Sequence, residues 1–494
     1  MLALININRM APLIGPIGLD YVAASAQRAG IEVEVLDLGL ADEPAHAIKE
    51  YFRTRNPELV GISLRNTDDC FWPSAAWFVP ALKDAVETIH TMSGAPVVVG
   101  GVGYSIFPEA ILEFAKADFG IRGDGEGAIA MLVHQLRGAR KFADVPGLVW
   151  PAAPTRVGRR GGRREGARIR SNPPSWPEPI SLGTARDFID NRSYFERGGQ
   201  CGIETKRGCN RKCIYCADPL AKGNKSRLRD PREIADEVQA LLAQGIDVLH
   251  TCDAEFNIPQ SHAYAVCEEL HARSLGRRVR WYAYMSPSPF DAGLAEAMAR
   301  AGCVGINFTG DSACETMLRA YGQKHRREDL AAAVRLCRQN RIAVMIDLLL
   351  GGPGETPETV RETIDFIKLI DPDRAGAALG VRVYPGTAME RLLAREVQKE
   401  DDGNIRRKYS GPIDLLKPTF YISRALGERP AEFVRDLIAG DRRFFEPAIE
   451  IVSDAAESPD TSNYNYNDNL PLTRAIEQGA RGAYWDILRR LRGS

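Results

Sequence analysis

The chain has 494 residues, 44% of them hydrophobic and 26% charged, which excludes a peptide, a disordered chain and a collagen-like protein and leaves room for two or three packed domains. Lysine plus arginine (64) and aspartate plus glutamate (65) cancel to a formal charge of −1, so no global field draws the protein to nucleic acid or an anionic surface. The first residues lack the basic, apolar and small-residue succession of a secretory signal, and no stretch approaches the ~18 apolar residues of a membrane span; a cytoplasmic protein with neither nucleic acid nor membrane as partner is expected.

Short β-rich runs at 2–7, 32–36, 59–64, 96–99 and 118–121 alternate with amphipathic patterns, the succession of a parallel, doubly wound α/β sheet of flavodoxin-like or Rossmann-like type over residues 1–140. Ligands of such sheets bind beyond the carboxyl ends of the strands, where Gly100, Gly101 and Gly103 follow the fourth run and Gly123, Gly125 and Glu126 follow the fifth. Ile106 occupies the last position of G-x-G-x-x-G, so the dinucleotide fingerprint is incomplete. Residues 141–197 read as a proline-rich linker carrying a basic hairpin, with seven arginines against one glutamate from Arg156 to Arg170. No aromatic side chains are interleaved there for base stacking, so a solvated face is expected rather than a nucleic-acid arm.

From 198 to 395 strand and helix patterns alternate again, with strands at 202–206, 248–252, 279–284, 304–308, 343–350 and 377–383 and helices at 231–243, 260–274, 291–301, 327–339 and 357–369. Six such units predict a partial (β/α)6 barrel with its chemistry at the carboxyl ends of the strands. Residues 396–494 read as mostly helical, and the aromatic-rich stretch 461–469 is placed to cap the barrel mouth.

Of ten cysteines, seven are scattered and read as small buried hydrophobes; Cys209, Cys213 and Cys216 form C-x3-C-x2-C in a loop after the first barrel strand. A structural zinc site wants four closed ligands, and no fourth cysteine or histidine lies nearby. A 4Fe-4S cluster held by three thiolates keeps one iron open for catalysis. Lys206, Arg207, Arg211 and Lys212 are expected to lower the thiol pKa values and offset the cluster's charge.

C-x3-C-x-Φ-C, with Tyr215 as the aromatic, on the first loop of a six-unit barrel resembles the radical S-adenosylmethionine (SAM) enzymes, and Gly-Gly-Pro-Gly-Glu-Thr at 351–356 and Val-Tyr-Pro-Gly-Thr at 383–387 match further patterns of that family. The resemblance, over roughly 198–390, implies a 4Fe-4S cluster on Cys209, Cys213 and Cys216 whose open iron binds the amino and carboxylate groups of SAM. It also implies an external one-electron reductant that drives cleavage to a 5′-deoxyadenosyl radical. Carried across residue by residue, Asp253, Glu255 and Asn257 meet the SAM amino group, Tyr215, Gly352 and Pro353 line its site, and Asn307 stands where relatives carry an acid toward the ribose.

A flavodoxin-like domain ahead of that barrel is similar to the cobalamin-binding class of these enzymes, which implies cobalamin as a further cofactor, contacted by Leu19, Asn66, Asp68, Gly100, Gly101, Gly103, Gly123, Gly125 and Glu126. The D-x-H-x-x-G motif that ligates cobalt is absent, and the loop after the third run, Arg65 to Cys70, holds no histidine. Cobalt is therefore expected to lack a protein nitrogen on its lower face, with the fixed charge of Arg65 favouring reduced cobalt; Arg65 and Tyr384 are the expected catalytic residues. The implied activity is methyl transfer from SAM, through methylcobalamin, to an unactivated carbon or phosphorus of a small molecule in natural-product biosynthesis. The missing histidine is similar to that of the tryptophan C2-methyltransferases of thiopeptide biosynthesis. Two alternatives stay open: rearrangement, cyclisation or ring formation with the same cofactors, and an iron-sulfur electron-transfer module in which SAM is never cleaved.

Overall fold

The computed structural model describes residues 1–152, 168–397, 403–449 and 465–492. The amino-terminal third builds a seven-stranded sheet from β1 (Leu2–Asn6), β2 (Val33–Asp37), β3 (Leu59–Ser63), β4 (Val97–Gly100), β5 (Phe119–Ile121), β6 (Leu148–Pro151) and β7 (Ile169–Ser171), in the order β2-β1-β3-β4-β5-β6-β7. The first five are parallel in the 2-1-3-4-5 order of a flavodoxin-like fold. Helices cover both faces, so the strands read as near-continuous apolar runs: every residue of β1 is buried. Helices Ile17–Arg28 and Gly125–Arg137 bury Leu19, Ala23, Ile129 and Leu132 against one face, while Val79–Met92 and Pro108–Ala115 cover the other.

The segment expected to be linker contributes β6 and β7, which pair antiparallel and extend this sheet. A β-hairpin needs no crossover helix, so the alternation that reveals parallel strands carries no trace of it. Most of the arginine-rich run, through residue 167, lies outside the described residues.

The second layer begins with β8 (Cys201–Ile203), passes through the antiparallel ribbon of β9 (Lys206–Arg207) and β10 (Arg227–Leu228), and continues with β11 (Val248–Thr251), β12 (Arg280–Met285), β13 (Cys303–Asp311), β14 (Ala343–Leu350) and β15 (Arg374–Leu379). Its six strands are parallel in chain order, as the six-unit pattern predicts. The sixth ends earlier than expected: Gly380, at φ +101°, turns the chain away, and β16 (Val381–Arg382) joins β17 (Ile405–Arg406) and β18 (Phe420–Tyr421) in a small antiparallel sheet. A seventh parallel strand, β19 (Phe444–Phe445), pairs with β15 from a region read as mostly helical. Both phenylalanines are buried, but two residues are too few to show a strand period.

Buried ion pairs join the two layers. Arg186, on the connector, reaches Asp20 of helix Ile17–Arg28 at 2.8 Å and Glu237 of helix Pro231–Ala243 at 2.8 Å; Arg229 approaches Glu237 at 2.7 Å, and the Tyr21 hydroxyl donates to Glu237 at 2.7 Å. Arg207 meets Glu126 at 2.8 Å, Arg227 pairs with Asp124, and Arg382 meets Asp68 at 2.9 Å across the opposite side. Removing one partner strands the other charges in a low dielectric. Glu237→Ala, which leaves Arg186 and Arg229 short of their carboxylate, is expected to cost about 3–5 kcal/mol in urea denaturation; a loss below about 1 kcal/mol, the level of an exposed pair, contradicts the account.

Candidate functional site

The cysteine loop runs from β9 into the short helix Asp218–Lys222. Gly208 opens it at φ +82°, where a Cβ would lie 2.2 Å from the Lys225 carbonyl oxygen, so only glycine fits. Cys209 is buried and its N–H donates to Gly223 O at 3.1 Å; Ile214 N–H donates to Tyr321 O at 3.0 Å; Cys213 and Cys216 are partly exposed. Among the described residues no three cysteine, histidine or acidic side chains converge on a single-ion point, the arrangement a zinc site requires, whereas a cubane takes its thiolates on separate irons. The expected lowering of the thiol pKa values does not occur. Burial pushes Cys209 up, Cys213 up to about 12 and Cys216 well above the usual thiol range. The neighbouring cations are engaged elsewhere: Arg207 holds Glu126 and Glu204, and Arg211 donates to Ser286 Oγ at 3.2 Å and Ser288 O at 2.7 Å. Lys206 acts electrostatically on Cys209 and Arg211 on Cys213, and neither offsets the effect of burial.

A frame of polar contacts fixes the loop against the ends of β13 and β14. The Tyr215 hydroxyl donates to Asp311 Oδ2 at 2.6 Å, Gln323 Nε2 reaches Tyr215 Oη at 3.2 Å and Cys213 Sγ at 3.5 Å, and the Tyr215 and Tyr321 rings meet edge to face at 5.9 Å. The Tyr321 hydroxyl donates to Leu349 O at 2.8 Å and accepts from Gly352 N–H at 3.1 Å. A Cβ on Gly352 would strike that hydroxyl at 2.2 Å. Gly352 and Tyr215, expected as SAM contacts, thus support the loop, while Pro353 is half-buried beside them. Nothing in the sequence pattern distinguishes Gln323 or Asp311.

At the barrel mouth the expected SAM residues divide. Asp253 is spent within the fold, accepting from Thr205 N–H at 2.8 Å, from the Thr205 hydroxyl and from Lys206 N–H at 3.2 Å. Asn257 is fully enclosed and donates to Ser286 O and Pro289 O at 2.9 and 2.7 Å. Glu255 remains: one carboxylate oxygen accepts from the Thr309 hydroxyl at 3.0 Å, and Oε2 is buried without a partner. Burial raises its carboxyl to about 7, and it is felt electrostatically at Cys209 and Cys213. Asn307 Nδ2 donates to Asp347 Oδ2 at 2.8 Å, leaving Asn307 Oδ1 unpartnered. Tyr284 and Tyr466 both feel the Asp347 charge. Unpaired buried acceptors beside a cysteine triad fit an ammonium and ribose hydroxyls.

On the first domain, a cavity of about 200 Å³ beyond β1 and β3 is lined by Met10, Leu64, Arg65, Asn66, Phe78 and Asn467. Arg65 stands accessible within surrounding protein; desolvation lowers its pKa, and its electrostatic neighbours are Cys252 and Tyr484 of the second layer. It bonds Asn66 Oδ1 at 3.1 Å and, among the described residues, forms no ion pair with Asp68 or Asp69. A guanidinium held at a strand end without a carboxylate suits a cradle completed by a ligand. A Cβ on Gly100 would meet nothing nearer than 3.8 Å, so its face is open; Cβ atoms on Gly101 and Gly103 would meet Leu64 O at 2.6 Å and Asn66 C at 2.9 Å, so these two glycines admit the 64–66 loop instead.

Other expected corrin contacts serve the fold. Leu19 is core; Asp68 is locked to Arg382; Glu126 holds Arg207; and Gly123 and Gly125 carry the turn that presents Asp124 to Arg227, with Trp176 and Val22 packed over them. Asp68 and Glu126 lie in the connections beyond the strand ends and face the other domain, and sequence alone does not separate that face from a ligand's. Tyr384 meets Cys70 Sγ at 3.6 Å beneath Arg382, on the seam between the domains. The described part of the carboxyl-terminal stretch crosses the mouth: Asn465 Nδ2 bonds Asp69 Oδ2 at 3.2 Å, and the Tyr466 and Tyr484 rings meet at 5.8 Å. Residues 461–464 lie outside the described residues.

Two family models match the chain: the B12 binding domain over residues 4–133 and the radical SAM superfamily over residues 203–367. The chain is 30% identical, over 98% of its length and 95% of the relative's, to the tryptophan 2-C-methyltransferase of Streptomyces laurentii. A solved structure of the radical S-adenosylmethionine methyltransferase TsrM from Kitasatospora setae, with tryptophan substrate and a SAM analogue bound, matches at TM-score 0.89 and 30% identity, covering 100% of this chain and 97% of that one. The same protein with cobalamin and a 4Fe-4S cluster bound matches at TM-score 0.85 and 29% identity, over 100% and 97% of the two chains.

Glu355, in the loop after β14, is fully enclosed, accepts from Gly351 N–H at 3.0 Å, and is raised by burial from 4.5 to about 7. A raised carboxyl binds its proton first in the folded state, so its stabilising contribution is complete below pH 4.5 and is lost as the pH climbs through about 7. Glu355→Gln is expected to flatten that part of the stability-pH curve measured by chemical denaturation; a slope equal to that of the parent protein contradicts the assignment.

Proposed function

Because the chain belongs to the cobalamin-dependent radical SAM methyltransferases, which work with a 4Fe-4S cluster, SAM and cobalamin, we propose that it methylates carbon 2 of the indole ring of tryptophan. The observation that carries the reading is the end-to-end match with a tryptophan 2-C-methyltransferase, which includes the carboxyl-terminal region that lies over the barrel mouth as well as the two cofactor domains. When bound, the cluster would supply an open iron for SAM and cobalamin would supply the methyl relay, so the difficult chemistry would belong to the cofactors.

The chain's own residues bind, orient and exclude water. Cys209, Cys213 and Cys216 hold the cluster, and Glu255 Oε2 accepts from the SAM ammonium. Asn307 Oδ1 accepts a ribose hydroxyl, with the side chain oriented by Asp347. Asn66, Arg65 and the open face at Gly100 would hold the corrin. Tyr284, Asp347 and Tyr466 combine aromatic faces with a carboxylate, a lining suited to an amino acid with a large ring. Among the described residues no helix is long and apolar enough to cross a membrane.

Incubating the anaerobically reconstituted protein with tryptophan and SAM bearing a trideuterated methyl group is expected to yield tryptophan with an intact CD3 group in place of the hydrogen on carbon 2 and to release S-adenosylhomocysteine. Unlabelled rearranged product supports the ring-forming alternative instead. Arg65 cannot lose its proton to ligate cobalt, and its charge stabilises the lower oxidation state. Arg65→Ala is accordingly expected to move the Co(II)/Co(I) couple to more negative potential in a spectroelectrochemical titration; an unchanged couple removes Arg65 from the site.

A further inference from the structure

Resting on the reading of the three cysteines as cluster ligands, we propose that the exposed basic surface around Cys213 is the docking site of an acidic protein that carries single electrons. Cys213 is half-buried and follows directly on the exposed Lys212. Cys209 is buried, and the helix that follows Cys216, Asp218–Lys222, packs on helix Val102–Ile106 of the first domain, so those two sides are covered. The remaining side is bounded by Lys212 and by the turn Gly322–Arg326. The two segments touch: a Cβ on Gly322 would lie 2.8 Å from the Lys212 carbonyl oxygen, and Gln323 Nε2 sits 3.5 Å from Cys213 Sγ.

Lys212, Arg319, Lys324 and Arg326 are all exposed on this edge. Among the described residues none of the four forms an ion pair, whereas the adjacent Arg327 is held by Glu328 and Glu362, and Arg211 turns inward to Ser286 and Ser288. Asp311, the acid nearest Cys213, is buried and bonded to Tyr215 and Gln323; on the flank, Glu315 accepts from Arg327 N–H at 3.2 Å, Asp329 accepts from Arg326 N–H at 2.8 Å, and Glu328 pairs with Arg327. A chain with a formal charge of −1 thus collects, among the described residues, four exposed cations without an ion pair on the edge formed by Lys212 and the turn that touches Cys213. Such a patch does not stabilise the fold, since like charges repel. It steers an oppositely charged partner to one orientation. The step it serves moves one electron from the carrier's reduced flavin or iron-sulfur group to the oxidised cluster. The carrier is oxidised by one electron, the cluster is reduced by one, and no bond or proton changes hands.

The test uses the full-length reconstituted protein and the charge reversal Lys324→Glu with Arg326→Glu. Cluster reduction is followed by stopped-flow absorbance and by electron paramagnetic resonance, with a reduced bacterial flavodoxin as the acidic donor and reduced methyl viologen, a small cation, as the control. At low ionic strength the double variant is expected to lose about tenfold in the bimolecular rate with flavodoxin, the loss vanishing at high salt. Its reduction by methyl viologen is expected to be no slower than in the parent protein, which shows the cluster to be intact. Equal flavodoxin rates in the two proteins, or an equal slowing with both donors, overturns the proposal and leaves the cluster reading standing. A parent protein that binds no iron overturns both.

Discussion

The arrangement depends on charges buried between the two domains. Arg186 and Arg229 share Glu237 with Tyr21, Arg186 also holds Asp20, and Arg207, Arg227 and Arg382 find Glu126, Asp124 and Asp68 across the seam. Desolvating so many ions is costly, and packed apolar side chains hold domains together at lower cost. What directional ion pairs add is register: each guanidinium meets its carboxylate only in this relative placement. That placement sets the strand end bearing Arg65 within electrostatic reach of Cys252 and Tyr484 of the second layer.

Burial also explains the character of the site. Burial pushes the three thiols up rather than down, and because metals bind thiolates, filling the site would release protons. The same low dielectric leaves Glu255 with a half-satisfied carboxyl and Arg65 with an uncompensated charge, groups whose full stabilisation waits for ligands. Asp253, at a neighbouring position, is held within the protein by Thr205 and Lys206, and Asn257 is anchored through its amide N–H groups while its Oδ1 is left without a partner.

Much of this was legible in the residues because certain geometries leave strong marks. Two runs of alternating strand and helix announce two parallel sheets, and three cysteines at fixed spacing announce a soft-metal centre. The misses have equally physical causes. A hairpin such as β6–β7 and a two-residue strand such as β19 carry no period. Glu126, Asp68 and Leu19 occupy the positions a corrin contact would hold, yet their partners are a guanidinium from the other domain or the core itself, and a one-dimensional pattern cannot name a partner some 300 residues away, as Asp68 and Arg382 are. Gln323 and Asp311 escaped for the converse reason: ordinary polar residues become specific only once the fold brings them to Tyr215 and Cys213.

The central claim is that Cys209, Cys213 and Cys216 hold a cubane facing a corrin carried by residues of the first domain. Analysis of iron, sulfide and cobalt in protein reconstituted without oxygen, alongside its visible spectrum, tests it most directly. The account predicts about four irons, four sulfides and one cobalamin per chain, with the iron and sulfide lost when any one of the three cysteines becomes alanine. Stoichiometric zinc in place of iron, or a cluster that survives removal of one of these thiols, would contradict it.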